Sequence, residues 1–209
     1  MMPLLPMPFK KLHEYLKEKL VSFDILEPTV FQTKSIPIIK SGSNVYCAAP
    51  TESGKTTTLV LTTLQKLKCE AEGTAPRAIV LVKNREKAEG LYEVFMKYTR
   101  YNSLRIYLSH EKVHIDLQKS EIFEGVDVLI VTPESLNKLF LMNGISSSSL
   151  KIFSVDDAEF VSEGKAYSIL ISVSQSIQKC QYVFYSKNLT PKLKSLESYF
   201  MEYAKTIRC

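Results

Sequence analysis

Short runs of apolar and β-branched residues recur along this chain, at 45–48, 78–82, 104–108, 126–131, 152–155 and 182–185, with helix-period stretches between them. Strands that alternate with helices are joined by right-handed crossovers, which requires a mostly parallel sheet with helices on both faces. The runs are apolar almost throughout rather than at every second residue, as expected of strands buried on both sides. At 209 residues and 45% hydrophobic content the chain suffices for one well-buried core, so residues 1–209 are expected to form a single α/β domain. The tract Ser146-Ser147-Ser148-Ser149 reads as a surface loop, and no repeat or low-complexity linker divides the sequence.

In such a sheet, ligands sit at the carboxyl ends of the strands. The first run is followed there by Ala49-Pro50-Thr51-Glu52-Ser53-Gly54-Lys55-Thr56, and a helical stretch over 57–69 comes next. A strand, a tight loop and a helix N-terminus aim successive N–H groups at one point, where they add to the helix dipole in cradling phosphate. Lys55 is placed to neutralise β/γ oxygens, and the Thr56 hydroxyl to reach a bridging Mg²⁺. The fifth run ends in Asp156-Asp157-Ala158-Glu159. A carboxylate there, Asp156 first, suits a hard cation held through water. The two segments together make the Walker A and B pair of a nucleotide binder, in which a second acidic residue orients attacking water.

Composition adds bounds. The net charge of +5 is compatible with a nucleic-acid partner without requiring one. Cys47, Cys69, Cys180 and Cys209 are far apart and form no CxxC pair, so neither a zinc site nor a disulfide framework is expected, and a reducing cytoplasmic or nuclear setting is the simplest reading. The apolar start, residues 1–9, is broken by Pro3, Pro6 and Pro8 and lacks the order of a signal peptide. No run reaches the length of a membrane span, and no membrane partner is expected.

With these elements in order, the chain resembles the DEAD-box RNA helicases, specifically their first RecA-like domain. Glu27-Pro28-Thr29-Val30-Phe31-Gln32 is similar to the adenine-reading Q motif, and residues 49–56 to motif I. Val82-Lys83-Asn84-Arg85-Glu86-Lys87-Ala88 stands where the family has a Pro-Thr-Arg-Glu-Leu-Ala run, and Thr132-Pro133-Glu134-Ser135-Leu136 resembles motif Ib. The segment 156–159 takes the place of the name-giving Asp-Glu-Ala-Asp, and Ser186-Lys187-Asn188 that of Ser-Ala-Thr. The order rules against an unrelated P-loop kinase, and Ala49 in place of Gly also points away from small kinases and GTPases.

The resemblance implies ATP and Mg²⁺ as cofactors and assigns roles residue by residue. Gln32 would bond the adenine edge, with Phe9 expected to stack on the ring and Phe23 as its rival. Ala49, Pro50, Thr51, Glu52, Ser53, Gly54, Lys55 and Thr56 would wrap the phosphates. Thr56 and Asp156 would hold Mg²⁺, largely through water. Lys55, Asp156 and Asp157 form the catalytic set, Asp157 standing where the family's Glu polarises water. The Arg85 region and the turn at Thr132 and Pro133 would touch the sugar-phosphate backbone of RNA through amides and short polar groups, contacts that position a strand without reading its sequence.

Departures from the family pattern set further expectations. Asp157 is one methylene shorter than Glu, a misplacement of about 1 Å that can cost about a hundredfold in rate. Glu52 puts a carboxylate and a Cβ into a turn that commonly exploits glycine. Lys83, Asn84 and Ser135 replace Pro, Thr and Arg in the RNA-facing motifs, His110-Glu111 stands near the family's Gly-Gly pair, and Lys187 and Asn188 alter the motif that couples ATP to RNA. Leu193, Leu196, Phe200 and Met201 continue at helical spacing, and motifs IV to VI have no counterpart. The chain is therefore expected to be one half of a longer protein whose second RecA-like domain supplies an arginine finger, with further protein partners. Its divergence is similar to that of helicase-like domains in germline Tudor-domain proteins of the piRNA pathway, and with that placement ribonucleoprotein granules join cytoplasm and nucleus as expected locations. The two expectations are the ATP-binding half of an RNA helicase and a degenerate RNA clamp or scaffold with little turnover.

Overall fold

The computed structural model describes residues 4–209, so Met1 to Pro3 of the apolar start lie outside it. Helices α1 (Glu14–Ser22) and α2 (Val30–Lys40) precede an alternating series: β1 (Val45–Ala48), α3 (Lys55–Lys66), β2 (Ala78–Leu81), α4 (Arg85–Thr99), β3 (Ile106–Ser109), α5 (Ile115–Glu124), β4 (Val128–Val131), α6 (Pro133–Leu141), β5 (Ile152–Val155), α7 (Ala166–Gln175) and β6 (Gln181–Ser186). The short α8 (Pro191–Lys194) and β7 (Lys205–Arg208) follow. All pairings are parallel, in the order β3-β4-β2-β5-β6-β1-β7.

Side chains alternate along a strand, so each strand feeds two cores. Val45 and Cys47 of β1 pack with Leu16, Phe31, Leu59 and Phe95, on the face covered by α1 to α4. Tyr46, between them, points to the opposite core with Leu136, Phe153, Leu170 and Phe184, under α5 to α7. Double coverage explains the near-continuous apolar runs. Tyr46 keeps its hydroxyl satisfied by donating to the Leu193 carbonyl at 3.0 Å, as a buried phenol must.

The amino ends of β2, β3 and β4 are tied by charge. Asp127, fully buried just before β4, accepts from Arg77 Nη2 at 2.6 Å and from Arg105 Nε at 2.9 Å, residues that immediately precede β2 and β3. Burial pushes the Asp127 carboxyl upward, but the hydrogen bonds from Arg105 and Arg77 outweigh it and hold it below its ordinary value.

Two expectations change at the carboxyl end. The helical spacing from Leu193 onward yields only α8 and a 3₁₀ turn over Ser195–Ser198. The chain then adds a strand that pairs with β1, Val45 opposite Lys205. Only Ile207 of β7 is buried, so the strand lacks the apolar run by which the others announce themselves.

Candidate functional site

The phosphate loop leaves β1 where the rule for parallel sheets places a ligand. The Ala49 N–H donates to the Ser186 carbonyl at 3.0 Å, which continues the β1–β6 ladder by one residue before the chain turns. Gly54 at φ +90° caps α3, a conformation that glycine adopts without penalty. Space also demands glycine, because a Cβ there would lie 2.7 Å from Gln32 Nε2. Glu52 is held at φ +63°, in the left-handed region that a side chain disfavours. The turn therefore does take the shape that the sequence suggested, with Glu rather than Gly bearing the strain.

The backbone N–H groups of Gly54, Lys55 and Thr56 donate to no acceptor among the described residues. These are donors of the kind a phosphate satisfies. Lys55 is buried, and its ammonium donates to the carbonyls of Ala49 and Pro50, both at 2.6 Å. Burial lowers its pKa, opposed by the charges of Asp157, Glu159 and Asp156. Phosphate binding thus asks Lys55 only to exchange loop carbonyls for phosphate oxygens.

The α2 N-terminus is latched to the loop. Thr29 and Gln32 form a reciprocal capping box, Gln32 N–H donating to Thr29 Oγ1 at 3.1 Å and Thr29 N–H to Gln32 Oε1 at 3.0 Å. Thr29 Oγ1 also donates to the Ser53 carbonyl at 2.7 Å, and Gln32 Nε2 lies 3.5 Å from the Gly54 carbonyl. Gln32 is buried, so its amide faces the phosphate loop, with one lone pair and one N–H still uncommitted. The expected stacking by Phe9 is corrected: Phe9 is 0% exposed and belongs to the core with Leu16 and Phe31. The rival, Phe23, is 38% exposed and meets Tyr98 edge-on, with ring centroids 5.0 Å apart. The aromatic spacing alone could not separate a core ring from a base platform.

The acidic pair closes the opposite side. Asp156 follows β5, its N–H donating to the Leu81 carbonyl at 3.0 Å. Burial first, and then the adjacent Asp157 charge, push its carboxyl up to about 6. A dication would reverse that shift. Asp157 sits at φ +48° and accepts from Lys87 Nζ at 2.8 Å. Glu159 Oε1 accepts the backbone N–H groups of Lys187 and of Asn188, tying the acidic segment to the turn after β6. Thr29, Lys87 and Glu159 therefore join the site by contact, although motif spacing assigned them no separate role.

Between these walls lies an open cleft of about 430 Å³, lined among others by Glu52, Gly54, Lys55, Thr56, Lys87 and Asp157. Among the described residues no three His, Cys, Asp or Glu side chains gather as a metal cluster. One carboxylate and one hydroxyl, Asp156 and Thr56, match Mg²⁺, which keeps most of its waters and takes the rest of its shell from phosphate. The donor set fits a magnesium nucleotide.

The residues expected to face RNA separate. Arg85 opens α4 and is half-exposed, paired to Glu89 Oε1 at 2.6 Å. Thr132 is 1% exposed and its hydroxyl donates to Glu111 Oε2 at 3.2 Å, while Pro133 is buried as the first residue of α6. The Thr132 and Pro133 side chains are thus turned into the fold, whereas the Arg85 side chain stays in reach of solvent.

Comparison with known proteins agrees with this geometry. Residues 29–195 match the DEAD/DEAH box helicase family model. The probable ATP-dependent RNA helicase DDX28 of Mus musculus is 31% identical over 143 residues, which cover 65% of this chain and 26% of that protein. The probable ATP-dependent RNA helicase ddx42 of Dictyostelium discoideum is 24% identical over 198 residues, covering 93% of this chain and 19% of the relative. The DEAD box protein of Methanococcus jannaschii superposes with a TM-score of 0.85 at 18% identity, covering 94% of this chain and 54% of the other. The yeast splicing factor Prp28 gives 0.85 at 18% identity, covering 98% and 51%. The chain thus spans from about an eighth to about half of the relatives it matches. It belongs to the DEAD/DEAH box helicase family and has the RecA-like fold of that family's N-terminal part.

Proposed function

We propose that this domain is the ATP-binding half of an ATP-dependent RNA helicase, with hydrolysis requiring a second RecA-like domain in the full-length protein. The observation that carries the proposal is the phosphate loop with unpaired N–H donors at Gly54, Lys55 and Thr56, in a cleft that Asp157 also lines, directly after Asp156 in the chain. The relatives' names as ATP-dependent RNA helicases support it.

In this reading the freed N–H groups and Lys55 bind β- and γ-phosphate oxygens, Gln32 orients the adenine, and Thr56 and Asp156 hold Mg²⁺ through water. The bound cation would neutralise charge on the transferred phosphoryl group. Asp157 takes the proton-accepting position toward attacking water, and Glu159 relays the acidic segment to the turn at Lys187 and Asn188. Arg85 contributes a phosphate contact to RNA. Protein partners are in keeping with the fold, since the Dbp5 of Saccharomyces cerevisiae was solved bound to Gle1. Free Cys47, Cys69, Cys180 and Cys209 suit a reducing compartment, cytoplasmic or nuclear. The relatives named above lend no support to a narrower germline Tudor placement.

A second reading, a scaffold or RNA clamp with little turnover, is favoured by the strained Glu52, by Asp157 engaged with Lys87, and by Glu111 occupying Thr132. Phosphate release by the full-length protein, measured with and without RNA, separates the two. RNA-stimulated hydrolysis supports the helicase, and nucleotide binding without hydrolysis supports the scaffold.

A further inference from the structure

Lys87 is an unusual choice for its position. It is the third residue of α4, in the first turn, where the positive end of the helix dipole disfavours a cation. Its neighbour Arg85 finds a carboxylate one turn along the same helix, in Glu89. Lys87 instead reaches out of the helix to Asp157.

The charges lining the cleft explain what such a lysine supplies. Lys55 and Lys87 oppose Glu52 and Asp157, so the lining carries no surplus positive charge for a triphosphate. The Lys55 ammonium already points into the loop carbonyls. Lys87 is 57% exposed and Asp157 39%, and an ion pair open to water is weakly held. A lysine on its flexible stem offers three donors as a mobile point charge. A terminal phosphate, with more charge and more acceptor oxygens than a carboxylate, competes well for it.

We infer that Lys87 is a second phosphate-binding cation of this cleft, held at the wall by Asp157 and transferred to the terminal phosphate of a nucleoside triphosphate. The transfer distinguishes triphosphate from diphosphate, and it releases Asp157 to face water only when a γ-phosphate is present. This rests on the nucleotide reading proposed above.

Calorimetric titrations with Mg²⁺ and either ADP or a non-hydrolysable ATP analogue test it in wild type, Lys87→Met, Asp157→Asn and the double variant. Both side chains are on the surface, and thermal melts check that the variants fold. Lys87→Met should weaken the analogue about tenfold and ADP less than about twofold, the scale of one lost charge contact to the γ-phosphate. Asp157→Asn should tighten the analogue, and that gain should vanish in the double variant. Equal loss for both nucleotides, no loss for either, or a gain that persists without Lys87 would overturn the inference while leaving nucleotide binding intact. Wild-type protein that binds neither nucleotide would overturn the nucleotide reading itself, and this inference with it.

Discussion

Glu52 offers a test in which backbone strain and charge can be separated. At φ +63° its backbone occupies the left-handed region, which costs a side-chain-bearing residue about 1–2 kcal/mol. Glycine removes that cost but adds about 0.5–1 kcal/mol of chain entropy in the unfolded state. Glu52→Gly should therefore stabilise the fold by about 0.5 kcal/mol, an increase of about 1–2 °C in Tm for a domain of this size. The carboxylate is exposed and lines the cleft. One unit charge near another at contact distance in water is worth about 1 kcal/mol, so ATP affinity should rise about fivefold. The gain should shrink at about 1 M salt, where the screening length falls to about 3 Å. Glu52→Gln keeps the Cβ and loses the charge, so it should reproduce the affinity gain without the thermal gain. Calorimetry at two ionic strengths and a thermal melt read both effects. Affinity unchanged in both variants would show that the carboxylate points away from phosphate, and a lower Tm for Glu52→Gly would refute the strain argument.

Three further outcomes follow from other parts of the molecule. Gln32→Ala should weaken ADP but not GDP and lower stability by about 1 kcal/mol through the lost capping box; equal wild-type affinity for the two nucleotides would contradict the adenine role. In the full-length protein, Asp157→Glu should raise RNA-stimulated phosphate release by about tenfold or more if the short side chain limits turnover, whereas an unresponsive variant favours the scaffold. Asp127→Asn should cost about 3 kcal/mol in urea unfolding at pH 7, since it leaves the buried Arg77 with only the exposed Glu72 as a charge partner. Because the folded-state pKa of Asp127 is depressed, its contribution is present above the ordinary carboxylate value of 3.8 and is lost as pH falls through the lower folded value. The wild-type and variant curves should therefore converge on acidification below about pH 4, and a difference that stays constant with pH would exclude the ion network as the cause.

What the sequence revealed tracks how local each signal is. Strands β1, β2, β4, β5 and β6 were legible because two buried faces make the run apolar without interruption, and β7 was hidden because Lys205, Thr206 and Arg208 surround the single buried Ile207. The phosphate loop was readable because its geometry is set within one strand–turn–helix unit. The contacts that cross the cleft were not: Lys87 lies 70 residues from Asp157 in the chain, and only the fold brings them together. Phe9 failed for a related reason, since an aromatic residue near a helix carries no mark that tells a core ring from a ligand platform. Thr132 and Pro133 kept their motif spacing, but burial at the start of α6 and the Glu111 carboxylate decide what they can touch.

The place of β1 in the sheet bears on how the protein is made. It is the first strand in the chain, yet its two neighbours are the last two, with Val45 opposite Val183 on one side and Lys205 on the other. The strands β2, β3 and β4, by contrast, pair among themselves over shorter stretches of chain. Long-range parallel pairings form slowly, because large loops must close before any ladder rewards them. During synthesis from the amino end, β1 and the turn that follows it remain without partners until residues 181–208 have left the ribosome. The loop that cradles phosphate is therefore encoded early and assembled late. A nascent chain is expected to bind nucleotide only after residues 181–208 have emerged, and products truncated before them should not.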